Sequence, residues 1–232
     1  MFNFDDEALL FYDDFTLDLD KINNPNSNPY SLISKKDGCL ISVLNIHLSH
    51  RYSTKTRRSV GPNQSSGTLQ KFPQNMQYGP DFVIADISSD TLYLFTQNRE
   101  LTPLLVRKPS VHASEPRMLW ATQRITDRFI VIGKISEGSG RIPELMYEFQ
   151  TGKISELSLL DHVVCRRDGT WLRSVNFPTI HPAIGKNWDA QLIWPSFLID
   201  AMKDKRLSGD VEKLAKSLNI DDNPVVRIIK FK

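Results

Sequence analysis

Asp81-Phe82-Val83-Ile84-Ala85-Asp86-Ile87-Ser88-Ser89-Asp90-Thr91-Leu92-Tyr93-Leu94-Phe95-Thr96 is the stretch on which the reading of the fold turns. Two apolar runs of strand length flank Ser88-Ser89-Asp90, whose short polar side chains bond their own backbone and favour a turn. A second turn at Gln97-Asn98-Arg99-Glu100 leads into Leu101 to Val106, giving a three-strand meander. The run from Phe82 to Ile87 is nearly continuous in apolar residues, the pattern of a strand covered on both faces.

The same texture extends in both directions. Upstream, Tyr30 to Ser34, Lys35-Lys36-Asp37-Gly38 and Cys39 to Ile46 read as a hairpin, with Asp-Gly supplying the positive φ of a tight turn. Downstream, Arg117 to Gln123, Arg128 to Lys134, Leu145 to Phe149 and Lys153 to Leu159 repeat the meander, with turns at Thr126-Asp127 and Thr151-Gly152. Repeated meanders with doubly covered strands suggest sheets stacked face to face, as in the radial blades of a β-propeller. A β-sandwich is the alternative, although it favours shorter, more regular strand spacing and fewer long loops.

Lys21 to Pro29 and Arg57 to Gly79 lack an apolar period and read as loops, the second with the composition of a disordered segment. Beyond them the carboxy-terminal part changes character. Pro195 suits a first helical position, with Leu198, Ala201 and Met202 at helical spacing; Val211, Leu214, Ala215 and Leu218 mark the apolar face of a second helix. These helices form an insertion over 194–219. A closing strand over 224–232, alternating too little for an exposed edge, reads as returning into a sheet. The whole of 1–232 is expected to be one all-β domain.

The 232 residues are 40% hydrophobic and 24% charged, which excludes disorder and collagen. The balance of 29 basic against 27 acidic residues argues against general attraction to nucleic acid or anionic lipid. No apolar run is long enough to span a membrane. The opening Met1-Phe2-Asn3-Phe4-Asp5-Asp6-Glu7 is acidic, so no export signal is read in this chain. Cys39 and Cys165 have no nearby thiol partner and support neither a zinc site nor a disulfide framework.

The residues with chemical potential fall in two places. Arg107, Lys108, His112, Glu115 and Arg117 form a polar connection between two meanders, a candidate ligand-binding loop or else a solvated connector made rigid by Pro109 and Pro116. Arg51, Lys55, Arg57 and Arg58, with Tyr52 beside them, are a candidate anion site or else a solvated loop margin. His112 with Glu115 could orient an imidazole, but no nucleophile stands at a meaningful spacing. Asp81, Asp86 and Asp90 lack calcium-loop spacing and read as turn and strand-end residues. His47 and His50, three apart in an expected strand, would face opposite ways, and His162 and His181 stand alone, so no metal or cofactor is expected. Trp120 is expected in the core; Trp171 and Trp188 could be exposed for sugar stacking.

Several stretches resemble the six-bladed β-propeller proteins abundant in Bacteroidetes. These are Asn28-Pro29-Tyr30, Ser34 to Gly38, Leu44-Asn45-Ile46-His47-Leu48, Arg51-Tyr52-Ser53-Thr54, Asp81 to Thr91, Arg107 to His112 and the ending from Asp221 to Lys232. The resemblance implies an exported, NHL-like propeller, usually a lipoprotein of the cell envelope, with no agreed catalytic motif. At ~40 to 50 residues per blade, only about three or four blades fit, as if the chain were the carboxy-terminal part of a longer relative. The expected function is non-enzymatic recognition of a glycan, peptide or protein. The alternatives are a polysaccharide lyase or hydrolase using His112, Glu115 and Arg117, and a truncated propeller remnant that self-associates through open edges.

Overall fold

The computed structural model describes residues 1–18, 22, 25–53, 56–61, 64–66, 74–113, 115, 117–136, 144–157, 159–165, 171–174 and 186–231. The chain divides into two compact units: Met1–Thr122 with Ile132–Ile142, and Gln123–Val131 with Pro143–Lys232.

In the first unit, β1 (Phe2–Asn3), β2 (Ala8–Tyr12), β4 (Tyr30–Ser34) and β5 (Leu40–Val43) form a sheet in that order, while the short β3 (Leu17–Asp18) stands apart from it. The β4–β5 hairpin turns where expected: Gly38 has φ 72°, and the Cys39 N–H donates to Asp37 Oδ1 at 3.1 Å. The alternation then continues without a strand ladder, burying Leu44, Ile46 and Leu48 and leaving Asn45 and His47 exposed.

The region read as a disordered loop is in part β-structure. It holds β6 (Thr56–Gly61), β7 (Gln64–Ser66) and β8 (Asn75–Tyr78). β6 lies between β3, parallel to it, and β7, antiparallel. β8 adds a fourth strand to the meander of β9 (Asp81–Ile84), β10 (Thr91–Phe95) and β11 (Leu101–Val106), in the order β11-β10-β9-β8. Polar residues hid β8, because its place follows from the ladder of Met76 with Val83 and Gln77 with Phe82 rather than from its own apolar content.

These two four-stranded sheets share one core. Ala8, Leu10, Tyr30 and Leu32 from one meet Phe82, Ile84 and Phe95 from the other, with Phe4 stacked on Phe95 at 4.8 Å and tilted against Phe82 at 5.8 Å. Phe82, Val83, Ile84 and Ala85 are all buried, as expected of a strand covered on both faces.

The third expected meander is also present. β12 (Met118–Ile125), β13 (Phe129–Ser136), β14 (Glu144–Glu148) and β15 (Ile154–Leu157) form a sheet in sequence order. β16 (Leu159–Cys165) and β17 (Trp171–Ser174) pair with each other.

In the second unit, β18 (Trp188–Ile193) precedes α1 (Pro195–Lys203) and α2 (Gly209–Ser217), and β19 (Val225–Lys230) returns antiparallel to β18. Pro195 opens α1, and Asp210 and Glu212 sit at the positive end of the α2 dipole. Leu198, Ala201, Leu207 and Ala215 form a small core with Ile193, Val211 and Val225. The closing strand differs from expectation: it alternates half-buried with exposed residues, and Val226 and Ile228 are more than half exposed. The reason is its two-stranded sheet, which has the helices against Ile193 and Val225 but leaves Val226 and Ile228 open on the other face.

The protein is therefore all-β apart from two short helices, and among the described residues no sheet closes on itself. No helix among them is long and apolar enough to cross a membrane.

Candidate functional site

The turn from Asp86 to Asp90 holds the two candidate loops of the first unit together. Asp86 Oδ1 accepts the Ser88 N–H at 2.8 Å, and Asp86 Oδ2 accepts the Tyr30 hydroxyl at 3.2 Å. Ser88 Oγ in turn accepts the Tyr52 N–H at 2.8 Å, fixing the loop after Leu48. Asp90 Oδ1 accepts the Val111 N–H at 2.6 Å, and the Asp90 carbonyl accepts the Arg107 N–H at 2.8 Å. These aspartates thus serve turns, as does Asp81, whose carboxylate accepts the Gln97 N–H. Burial, followed by the Asp86 charge, holds the Tyr12 and Tyr30 phenols above their ordinary range.

Arg51 and Arg107 point inward. Arg51 donates to the Asn26 and Asp13 carbonyls and the Tyr12 hydroxyl at 3.1, 2.6 and 3.1 Å, beside Asp13 Oδ2 at 3.8 Å. Its guanidinium also lies 4.8 Å from the Phe15 ring centre. Arg107 donates to the Pro109 and Met118 carbonyls and lies 4.7 Å over Trp120, with Asp90 Oδ1 at 3.9 Å. Burial pushes the Arg107 guanidinium below its usual range, against the opposing pull of Asp90. Both arginines are buried and clamp these loops from within.

What the fold brings together is Tyr52 with His112 and Arg117, about sixty residues further along. Tyr52 Oη and His112 Nδ1 are 3.2 Å apart, and their rings stack with centres 5.5 Å apart. The Arg117 guanidinium lies 4.7 Å from the Tyr52 ring centre. His50 joins them, 4.8 Å from Tyr52 and 6.4 Å from His112 between ring centres. His50 was read only against His47, and no signal in the chain pairs it with His112. Both His47 and His50 are exposed, in a segment that carries no strand ladder.

A cleft of about 660 Å³ opens beside this cluster, lined by Phe15, Leu17, Pro25, Asn26, Ser27, Leu48, Ser49, His50 and Arg51. The volume falls within the usual ~300–1,000 Å³ of small-ligand sites. His50 belongs to both cleft and cluster. Lys108 and Glu115 are exposed on the same connection as His112. Lys55 and His181 lie outside the described residues, as do the side chains of Arg57, Arg58, His162, Cys165 and Trp171.

The tryptophans do not join the cluster as a set. Trp120 packs under Arg107, partly buried, while Trp188 lies under Lys230 and Trp194 is well exposed in the second unit. Among the described residues no three His, Cys, Asp or Glu side chains are grouped to hold a metal ion.

Stacked antiparallel sheets with loop-borne aromatic and basic side chains beside a cleft define a β-rich chain with a polar surface site. No family model, curated protein or solved structure matches the chain.

Proposed function

We propose that this chain is a non-enzymatic binding module of the β-propeller kind, recognising a glycan, peptide or protein through the loops that carry Tyr52 and His112. The observation that carries this reading is the convergence of two loops, sixty residues apart, into one cluster of two imidazoles, a phenol and a guanidinium, of which His50 also lines a cleft. Loops held by a rigid scaffold are the usual carriers of recognition. The propeller form is supported by the three four-stranded sheets in succession and by the shared core of the first two. The cell-envelope setting rests on the family resemblance alone.

Glycan and peptide arrays probed with the whole chain test this reading. Binding that is lost in Tyr52→Ala and His112→Ala, with unfolding temperature preserved, supports it; empty arrays remove it.

A second reading, a polysaccharide lyase or hydrolase, is favoured by one observation. Tyr52 Oη and His112 Nδ1 form a hydrogen-bonded pair of the kind that moves protons, with Arg117 above the phenol ring. Turnover of an oligosaccharide that Tyr52→Phe abolishes while binding persists would replace the first reading with this one.

A further inference from the structure

We infer that two copies of this chain pair through the outer edge of β19, antiparallel and about a two-fold axis at Ile228, to complete one four-stranded sheet. This surface belongs to the second unit and is separate from the loops that carry Tyr52 and His112.

β19 meets β18 in an unbroken register, from Trp188 opposite Lys230 to Ile193 opposite Val225. The Phe231 N–H donates to the Asn187 carbonyl at 2.9 Å, which continues that register as a hydrogen-bonded pair. Such pairs alternate along an antiparallel ladder, so Val225, Arg227 and Ile229 turn their main-chain groups toward β18, and Val226, Ile228 and Lys230 turn theirs away. Among the described residues no other strand pairs with β19. Val226 and Ile228 are more than half exposed. A hairpin of two strands is marginal by itself, and an apolar edge of this kind is a template for another strand.

The edge fits its own copy. Outward groups must meet outward groups, which limits the registers open to an antiparallel pair. Val226 opposite Val226 would set Ile228 against Pro224, which has no N–H. Val226 opposite Ile228 would set Arg227 against Arg227, and like charges directly opposite are unfavourable. Ile228 opposite Lys230 would run Val226 past the end of the strand. Ile228 opposite Ile228 avoids all three: Val226 meets Lys230, Arg227 meets Ile229, and each outward pair exchanges two main-chain hydrogen bonds. The result is a closed two-fold pairing rather than an open chain of strands.

Charge agrees with that arrangement. Asp221 and Asp222 precede the strand and Lys230 ends it, so antiparallel pairing brings the acidic approach of each copy toward the basic end of the other. Lys230 does not guard the edge, because its ammonium lies 5.0 Å from the ring centre of Trp188 on its own hairpin. The helical core reaches β19 at Val225, three residues or about 10 Å from the axis, on opposite sides in the two copies. The other exposed apolar edge, β5, suits pairing less well. It is shorter, and its ladder with β4 shifts register between Leu32 and Ile33, an irregularity that bends an edge away from regular pairing.

Sedimentation velocity of the full chain, from micromolar to near-millimolar concentration, tests the proposal. A reversible equilibrium between one copy and two is expected, with hydrogen exchange at the Val226, Ile228 and Lys230 amides slowing as the dimer fills. Ile228→Glu sets two carboxylates together at the axis and should weaken the dimer at least about tenfold. Val226→Glu, an equal change of charge at an equally exposed site, places its carboxylate opposite Lys230 of the other copy and should retain the dimer. Val43→Glu on β5 should leave it unchanged.

A chain that stays monomeric throughout, or association that grows beyond two copies, would overturn the proposal. So would an equal loss in Val226→Glu and Ile228→Glu, or a loss in Val43→Glu. Amides of Val226, Ile228 and Lys230 that stay protected at every dilution would show the edge covered within one chain, which also overturns it. The exchange measurement needs no variant, so misfolding of a variant cannot mimic any of these results. The binding reading of the first unit stands or falls separately.

Discussion

Phe82-Val83-Ile84-Ala85 and Val225-Val226-Arg227-Ile228-Ile229 have similar apolar content and very different surroundings. The first run is buried along its whole length, whereas the second alternates, with Val226 56% and Ile228 58% exposed. In the first unit a neighbouring sheet supplies Leu10 and Leu32, and the turn between β1 and β2 supplies Phe4, to the core around Phe82 and Ile84. In the carboxy-terminal hairpin the helices pack against Ile193 and Val225, while Val226 and Ile228 face away from that core beside Leu192 and Ala190. A run of branched apolar residues reports a strand; whether one or two layers cover it is decided elsewhere in the chain.

The largest expected effect breaks this comparison or upholds it. Leu32→Ala should cost about 3–4 kcal/mol, because a fully buried leucine loses its transfer energy and leaves a cavity between two sheets. Ile228→Ala should cost less than about 1 kcal/mol, since its side chain is already more than half in water. Urea unfolding of both variants reads the difference directly. Similar losses would mean that the outer face of the hairpin is covered in solution.

Arginine gives the next contrast. Arg51→Met should cost about 1–3 kcal/mol, because the Asn26 and Asp13 carbonyls lose their donor and the Tyr12 hydroxyl loses a partner. Arg117→Met should change stability by about 0.5 kcal/mol or less, as expected of an exposed side chain, while removing a contact on Tyr52. Chemical denaturation paired with ligand titration measures both. A stable Arg51→Met protein would show that the inward clamp is dispensable.

Arg51, Arg107 and Arg117 show how far the chain alone can be read. All three look like members of basic or polar loops. The side that each faces is set by carbonyls at Asp13, Asn26 and Met118 and by the ring of Tyr52, none of which is a sequence neighbour of the arginine it meets. The strands were more legible, because Tyr30 to Ser34 and Thr91 to Phe95 carry their apolar pattern in themselves. β8 was hidden because Asn75-Met76-Gln77-Tyr78 becomes a strand through its partner β9. The convergence of Tyr52 with His112 depended on Ser88 and Asp90, two residues legible as a turn but not as the brace between two loops.

Asn75 sharpens the picture of the doubly covered sheet. Its side-chain amide is buried in β8, and neither polar atom has a hydrogen-bond partner among the described residues. Asn75→Leu, of similar size, removes the penalty of burying an unpaired amide and should raise stability by about 1 kcal/mol. A rise in the denaturation midpoint at unchanged slope checks this. A loss instead would place an ordered water on the amide.

The smallest effect belongs to the turn that closes β14. Glu148 accepts from Thr151 Oγ1 at 2.8 Å and from Arg128 Nε at 3.0 Å, and these hydrogen bonds hold its carboxyl below the usual carboxylate range. A carboxylate whose folded pKa is depressed stabilises the fold above its unfolded pKa, and the contribution disappears as pH falls through the folded value. The wild-type protein should therefore melt slightly above Glu148→Gln at neutral pH, and the two curves should converge as acid protonates the carboxylate. The gap should be near the limit of scanning calorimetry, because Arg128 is well exposed and surface ion pairs are weak. A gap that persists unchanged into strong acid would assign it to the lost oxygen acceptor rather than to charge.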